Sequence, residues 1–191
     1  FRPEASYATI NPVDKRLAAR ANNRFIVAKR GEGASDKDIK GRAWLMIDLD
    51  PIRPNGIAAT DEEVAIALAR RDQILAALTK RGWPEPVMMF SGNGWHLFYQ
   101  IELSNTDSSR DLLRDVLCGL QLQFSDKDKK DDLGSAVAEG EIGAKLDGGV
   151  FNAARITKLY GTWTRKGDQN DGRFHRQSYV DHIPDFINTV P

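Results

Sequence analysis

The chain has 191 residues, 41% of them hydrophobic, enough for one core with appendages but marginal for two complete domains. Lys plus Arg and Asp plus Glu both number 27, so global charge advertises no nucleic-acid partner, and a polyanion would have to be met by a local positive surface. A single cysteine, Cys118, excludes an intrachain disulfide and a cysteine-rich zinc site, and no apolar run approaches the ~20 residues of a membrane span, so a cytoplasmic protein with no membrane partner is expected.

In chain order, Ala5 to Ile10 reads as a short strand stopped at Asn11-Pro12, Asp14 to Asn22 as a short helix, and Phe25 to Ala28 as another strand before a polar loop. Ala43 to Leu49 is the clearest strand. Five of its residues are apolar, Asp48 and Asp50 interrupt its end, and Pro51, Pro54 and Gly56 close it. Thr60 is the expected N-cap of the next helix, with Glu63 completing a capping box; Val64, Leu68, Leu75 and Leu78 supply its apolar face, and it stops before Gly82. Val87 to Phe90 and His96 to Ile101 read as a hairpin reversing at Asn93-Gly94. Leu113, Val116, Leu117, Leu120 and Phe124 carry helical spacing through Ser109 to Phe124. Residues 125–143 are charged and glycine-containing and are expected to form a mobile surface loop. Arg155 to Tyr160 reads as a strand or a short helix, and Gly161 to Gly172 as a polar loop. The pattern predicts one mixed domain with at least one antiparallel hairpin over residues 1–191. Phe1 and the apolar run to Pro191 read as cut ends of a larger protein.

Asp48 and Asp50 lie one residue apart on a strand, so their side chains share a face while Leu49 points into the core. Two ionised carboxylates that close repel unless a cation intervenes, and oxygen ligands of this kind suit Mg²⁺ or Mn²⁺. Asp147, before Gly148-Gly149, is the candidate third ligand for a two-ion site. The bland reading is that the two aspartates merely terminate a strand. Ser91, Gly92, Asn93, Gly94 and His96 form a glycine turn beside a histidine. Its exposed N–H groups and side chains are suited to phosphate oxygens, or it is a plain hairpin. Between Phe151 and Arg176 stand six Lys or Arg residues. Arg155 and Lys166 are the candidate counter-charges for a triphosphate, and Arg165, Arg173 and Arg176 the candidates for a nucleic-acid backbone; pairing with nearby aspartates is the alternative.

Taken together these segments resemble the archaeo-eukaryotic primase superfamily, in particular the primase-polymerase domains of bacterial mobile elements, plasmids and phages. The family's Asp-x-Asp is matched by Asp48 and Asp50 in WLMIDLDPIRPNG, and its Ser-x-His type motif is similar to SGNGWHLFY with Ser91 and His96. Its apolar-Asp motif resembles Leu146-Asp147, and its arginine followed by Gly-Thr and lysine resembles FNAARITKLYGTWTRKGD, with Arg155, Gly161, Thr162 and Lys166. Tyr160 stands where the family often has proline.

The resemblance implies an α+β, two-lobed fold, in which a sheet related to the RNA-recognition fold joins a smaller α/β subdomain across the active-site cleft. It implies template-dependent joining of ribonucleoside or deoxyribonucleoside triphosphates, with primase and polymerase activity. Asp48, Asp50 and Asp147 would hold two ions, Mg²⁺ or Mn²⁺, with His96 in the catalytic set, and a single-stranded DNA template, a primer strand and a fused or separate helicase would be the partners. A non-catalytic replication-initiator domain and a metal-dependent nuclease are the rival readings.

Overall fold

The computed structural model describes residues 5–22, 24, 26, 27, 29, 31–126, 142–170 and 172–191. Strand β1 (Tyr7–Thr9) is followed by β2 (Gly41–Pro51), helix α1 (Asp61–Lys80), β3 (Val87–Phe90), β4 (Trp95–Ser104) and helix α2 (Asp107–Phe124). Short strands complete the chain: β5 (Ala144–Leu146), β6 (Ile156–Lys158), β7 (Trp163–Thr164), β8 (Arg176–Gln177) and β9 (Tyr179–His182). The order β5-β2-β4-β3-β9 makes one antiparallel sheet, while β1 with β6 and β7 with β8 form two small ribbons. The fold is mixed α+β.

Alternation along β2 divides the molecule into layers. Leu45, Ile47 and Leu49 are almost fully buried on one face, opposite Tyr99, Leu97 and Trp95 of β4. Helix α1 packs on this face across β2, β4 and β5, and α2 lies beside it against β5. Met46, Asp48 and Asp50 project from the other face, which the β1–β6 ribbon and the segment after it flank. Each fully buried Leu or Ile contributes about 1.5–3 kcal/mol, so β2 is fixed in register by its helix-facing side, and the direction of its aspartates follows.

The capping box is present: the Thr60 hydroxyl accepts from the Glu63 N–H (3.2 Å) and the Glu63 carboxylate from the Thr60 N–H (2.9 Å). The buried stripe of α1 is Glu63, Ala67, Arg71, Ile74 and Leu78, shifted from the expected Val64, Leu68, Leu75 and Leu78. Leu68, Leu75 and Val64 sit only partly buried at the margin of the core, while Leu78 belongs to both stripes. The shift arises because two charged residues on the inner stripe find partners there. Arg71 lies 4.4 Å over the Trp95 ring and bonds to Asp181 of β9 (2.8 Å), and Glu63 is gripped by Arg173.

Other expectations are corrected. The helix expected at Asp14 to Asn22 is a 3₁₀ turn over Lys15–Arg20, and the polar loop Gly161 to Gly172 contains β7. Of the strand expected at Phe25 to Ala28, only Ile26 and Val27 are described, and neither is in a strand. The expected mobile loop lies outside the described residues apart from its ends, and its first two residues are fastened. The Ser125 hydroxyl accepts from the Leu146 N–H, and Asp126 pairs with Arg70.

Ile74→Ala is expected to cost about 2–5 kcal/mol in urea unfolding and Leu75→Ala clearly less, since only Ile74 leaves an enclosed cavity. Equal costs would contradict this helix phase.

Candidate active site

Antiparallel pairing sets Asp48 of β2 opposite His96 of β4, and Asp147 follows β5 beside the same position. The Asp147 N–H donates to the Asp48 carbonyl oxygen (2.9 Å), so Asp147, Asp48 and His96 form one row across three strands. One pleat further along the same face, Asp50 lies beside Gly94, where the hairpin turns. The Asp48 carboxylate accepts from His96 Nε2 (3.1 Å), and Arg155 Nη2 stands 3.9 Å from Asp48 and 3.5 Å from Asp147. Arg53 Nη1 lies 3.6 Å from Asp50.

These carboxylates form a ridge between two clefts. A cleft of about 300 Å³ has Asp48, Asp50 and His96 on one wall and Arg53, Arg155, Lys158, Arg165 and Lys166 around it. A second, of about 290 Å³, is lined by the same Asp48 and Asp50 with Asp147, Lys145, Gln121 and Leu146. The ridge is acidic from both sides, and most of the cations stand on one.

The two strand-end carboxyls are pushed in opposite directions. For Asp50, burial raises the proton affinity and the Asp48 charge raises it further, outweighing Arg53 and Lys166. For Asp48, burial also pushes upward, but the adjacent His96 ring, through charge and its hydrogen bond, wins with help from Arg155 and Lys166 and holds the group below its ordinary value. The pair titrates as a unit short of positive charge.

Among the described residues, no group of three or more His, Cys, Asp or Glu side chains already converges as a metal-holding cluster. The donor chemistry nevertheless fits a hard divalent cation. The ridge offers carboxylate oxygens from adjoining strands and no thiolate, and Asp48 and Asp147 are close enough to share the Arg155 guanidinium.

The turn is tighter than its composition implied. Ser91 Oγ accepts from the Gly94 N–H (2.9 Å) and donates to the Gly94 carbonyl (3.1 Å), so this N–H is engaged within the turn. The left-handed residue is Gly92 (φ 101°), packed on Thr164 of β7, rather than Asn93 or Gly94. Asn93 is buried, and its side-chain oxygen accepts from the Ala59 N–H (2.8 Å), tying the turn to the lead-in of α1. Ser91 and Asn93 still line the larger cleft.

Of the basic candidates, Arg155, Arg165 and Lys166 gather around this cleft, whereas Arg173 and Arg176 are turned to the start of α1. Arg173 makes two 2.8 Å bonds to Glu63, and Arg176 bonds to Asp61 (2.6 Å) and to the Ala59 carbonyl (2.6 Å). Sequence reasoning did not single out Arg53, Lys145, Gln121 or Thr157. Arg53 had a readable signal, a cation three residues after Asp50 on the far side of a proline. The others are brought in by tertiary pairing alone.

Compared with known proteins, the chain matches no family model, no curated protein and no solved structure.

Asp50→Asn is expected to raise the melting temperature in metal-free buffer at neutral pH. A carboxyl whose folded-state value lies above its unfolded value costs stability wherever it is ionised in the fold, so the gain is full above that raised value and is lost as pH falls through it toward the ordinary carboxylate range. A lower melting temperature at neutral pH would contradict this sign. Gly94→Ala is expected to destabilise the fold at any pH, because its Cβ would run into the Leu49 carbonyl and the Asp50 carboxylate; an unchanged melting temperature would show that the ridge is not packed on the turn.

Proposed function

We propose that the chain is a template-dependent nucleotidyltransferase of the primase-polymerase type, joining nucleoside triphosphates with release of pyrophosphate. The observation that carries this reading is the carboxylate ridge of Asp48, Asp50 and Asp147 with a cation-rimmed cleft along one side. A triphosphate brings about four negative charges, and a cleft with Arg53, Arg155, Lys158, Arg165 and Lys166 on its walls is suited to receive it. The antiparallel sheet with helices on one face supports the finer reading of a sheet related to the RNA-recognition fold, with the β1–β6 side as the smaller lobe and the active site between them.

Two divalent ions, Mg²⁺ or Mn²⁺, held by Asp48, Asp50 and Asp147, would lower the pKa of the attacking 3′-hydroxyl and neutralise charge on the departing pyrophosphate. Arg155 and Lys166 bind the triphosphate and offset the charge that develops toward the leaving group. Arg53 and the Ser91 turn shape the rim of the same cleft. The 3′-hydroxyl loses its proton to solvent, and its oxygen forms a bond to the α-phosphorus as the bond from that phosphorus to the pyrophosphate oxygen breaks and pyrophosphate leaves. Single-stranded DNA is the proposed template, with a primer strand where synthesis is extension, and a fused or separate helicase completes the proposed setting. Arg165 lines the cleft and is the proposed contact for a template phosphate; Arg173 and Arg176 are bonded to Glu63 and Asp61 at the start of α1.

Labelled-nucleotide incorporation on single-stranded DNA, with and without a primer and with Mg²⁺ or Mn²⁺, tests the reading. Metal-dependent product is expected, abolished in Asp48→Asn. Lys166→Ala is expected to raise the nucleotide KM about 10–100-fold, the scale of one charge-assisted contact, with a smaller loss of kcat. Strand degradation without incorporation would replace synthesis by nuclease chemistry. Template binding with no turnover would leave an initiator domain.

A further inference from the structure

His96 has both ring nitrogens engaged. Nε2 faces the Asp48 carboxylate at 3.1 Å, and Nδ1 meets the Tyr160 hydroxyl in a close hydrogen bond. Thr157 of β6 backs this contact, its hydroxyl 3.1 Å from the Tyr160 oxygen and 3.4 Å from Nδ1. The Tyr160 ring stands edge-on to His96 and Phe98, with centroids 5.9 and 6.3 Å away, so the phenol is locked by packing as well as by its hydroxyl. His96 itself is only 7% exposed.

The direction of each bond follows from donor inventory. An ionised carboxylate can only accept, so the proton on the Asp48 side belongs to Nε2. When the ring carries a single proton its lone pair is at Nδ1, and the group opposite must donate; a second proton would add charge to its hold on Asp48. Burial pushes the Tyr160 phenol well above its ordinary range, so it keeps the proton it has to give. Thr157 donates in turn to the phenol oxygen. With one proton on the ring, the chain runs one way, from Thr157 to Tyr160 to His96 to Asp48.

We propose that Tyr160, backed by Thr157, is a positioning residue that fixes His96 as the Nε2–H tautomer and thereby aims the Asp48 carboxylate. The inference rests on the proposed function only for the use made of Asp48. It reassigns His96, which has no ring donor left for a phosphate oxygen while Nε2–H serves Asp48. The histidine orients a carboxylate of the ridge, and Arg155 and Lys166 carry the triphosphate.

The test is ring-nitrogen NMR on the full ¹⁵N-labelled chain at about pH 8, where an ordinary imidazole is neutral. The chain has three histidines, so His175→Gln and His182→Gln assign the His96 signals. Both of those residues bond elsewhere, to Gly167 and Glu85. A single Nε2–H tautomer with a hydrogen-bonded Nδ1 is expected in the parent. Tyr160→Phe keeps the ring contacts and is expected to give a mixture of tautomers, with Thr157→Val shifting the same way to a smaller extent. In nucleotide incorporation, Tyr160→Phe is expected to lower kcat about 10–100-fold with the nucleotide KM within twofold. An Nδ1–H tautomer in the parent overturns the proposal, and so does a tautomer unchanged in Tyr160→Phe. A raised KM with intact kcat also overturns it, since that is the mark of a phosphate contact. A parent chain that incorporates nothing sinks the proposed function, and the tautomer measurement still decides the relay.

Discussion

Repulsion between carboxylates on one face of a strand is the constraint around which the rest of this molecule is arranged. The helix-facing side of β2 is bound into the core through Leu45, Ile47 and Leu49, so Asp48 and Asp50 have no freedom to turn away from each other. Asp147 adds a third negative group just past the end of the neighbouring strand β5. Arg53, Arg155, His96 and Lys166 all relate to that one excess, each from a different part of the chain. Their compensation is incomplete at Asp50, and it is there that a further cation has most to gain.

The same logic governs the outer parts of the fold. Glu63 closes the capping box of α1 and is buried, so it needs a counter-charge, and Arg173 supplies two bonds from more than a hundred residues away. Arg176 does the same for Asp61 in the first turn, where acidic residues already favour the helix dipole. These clamps hold the segment that carries β8 against the start of α1, and β8 holds β7. Thr164 of β7 in turn donates to the Ser91 carbonyl (2.6 Å), so the hairpin turn beside the ridge is buttressed from the far end of the chain.

Much of this was legible in sequence wherever one residue type had one physical use. The apolar run ending in Asp48 and Asp50 is β2, an interior strand of the sheet, Thr60 and Glu63 cap a helix, and the apolar spacing of α2 matches its buried residues Leu113, Leu117, Leu120 and Phe124. Strands β5, β7, β8 and β9 were not legible, because two to four residues carry no usable alternation and exist through their partners. The inner stripe of α1 was misphased because Glu63 and Arg71 read as solvent-facing charges until their distant partners are known. The ridge could be read residue by residue as Asp48, Asp50 and Asp147. Arg173 and Arg176 read equally well as phosphate contacts or ion-pair donors, and the fold turns them to Glu63 and Asp61. The role of Tyr160 could not be read at all, since nothing near it in sequence points to the His96 ring.

Because Asp48 and Asp50 are walls of both clefts, the two cavities share one set of charges. Whatever neutralises the ridge from the Asp147 side makes the opposite cleft more positive at once, without any element having to move. Linkage then requires the converse, that an anion seated among the arginines tightens the hold of the other cleft on a cation by the same factor. If the proposed cation and triphosphate sit on the two sides of the ridge, each would strengthen the other's binding through the pleat of a single strand.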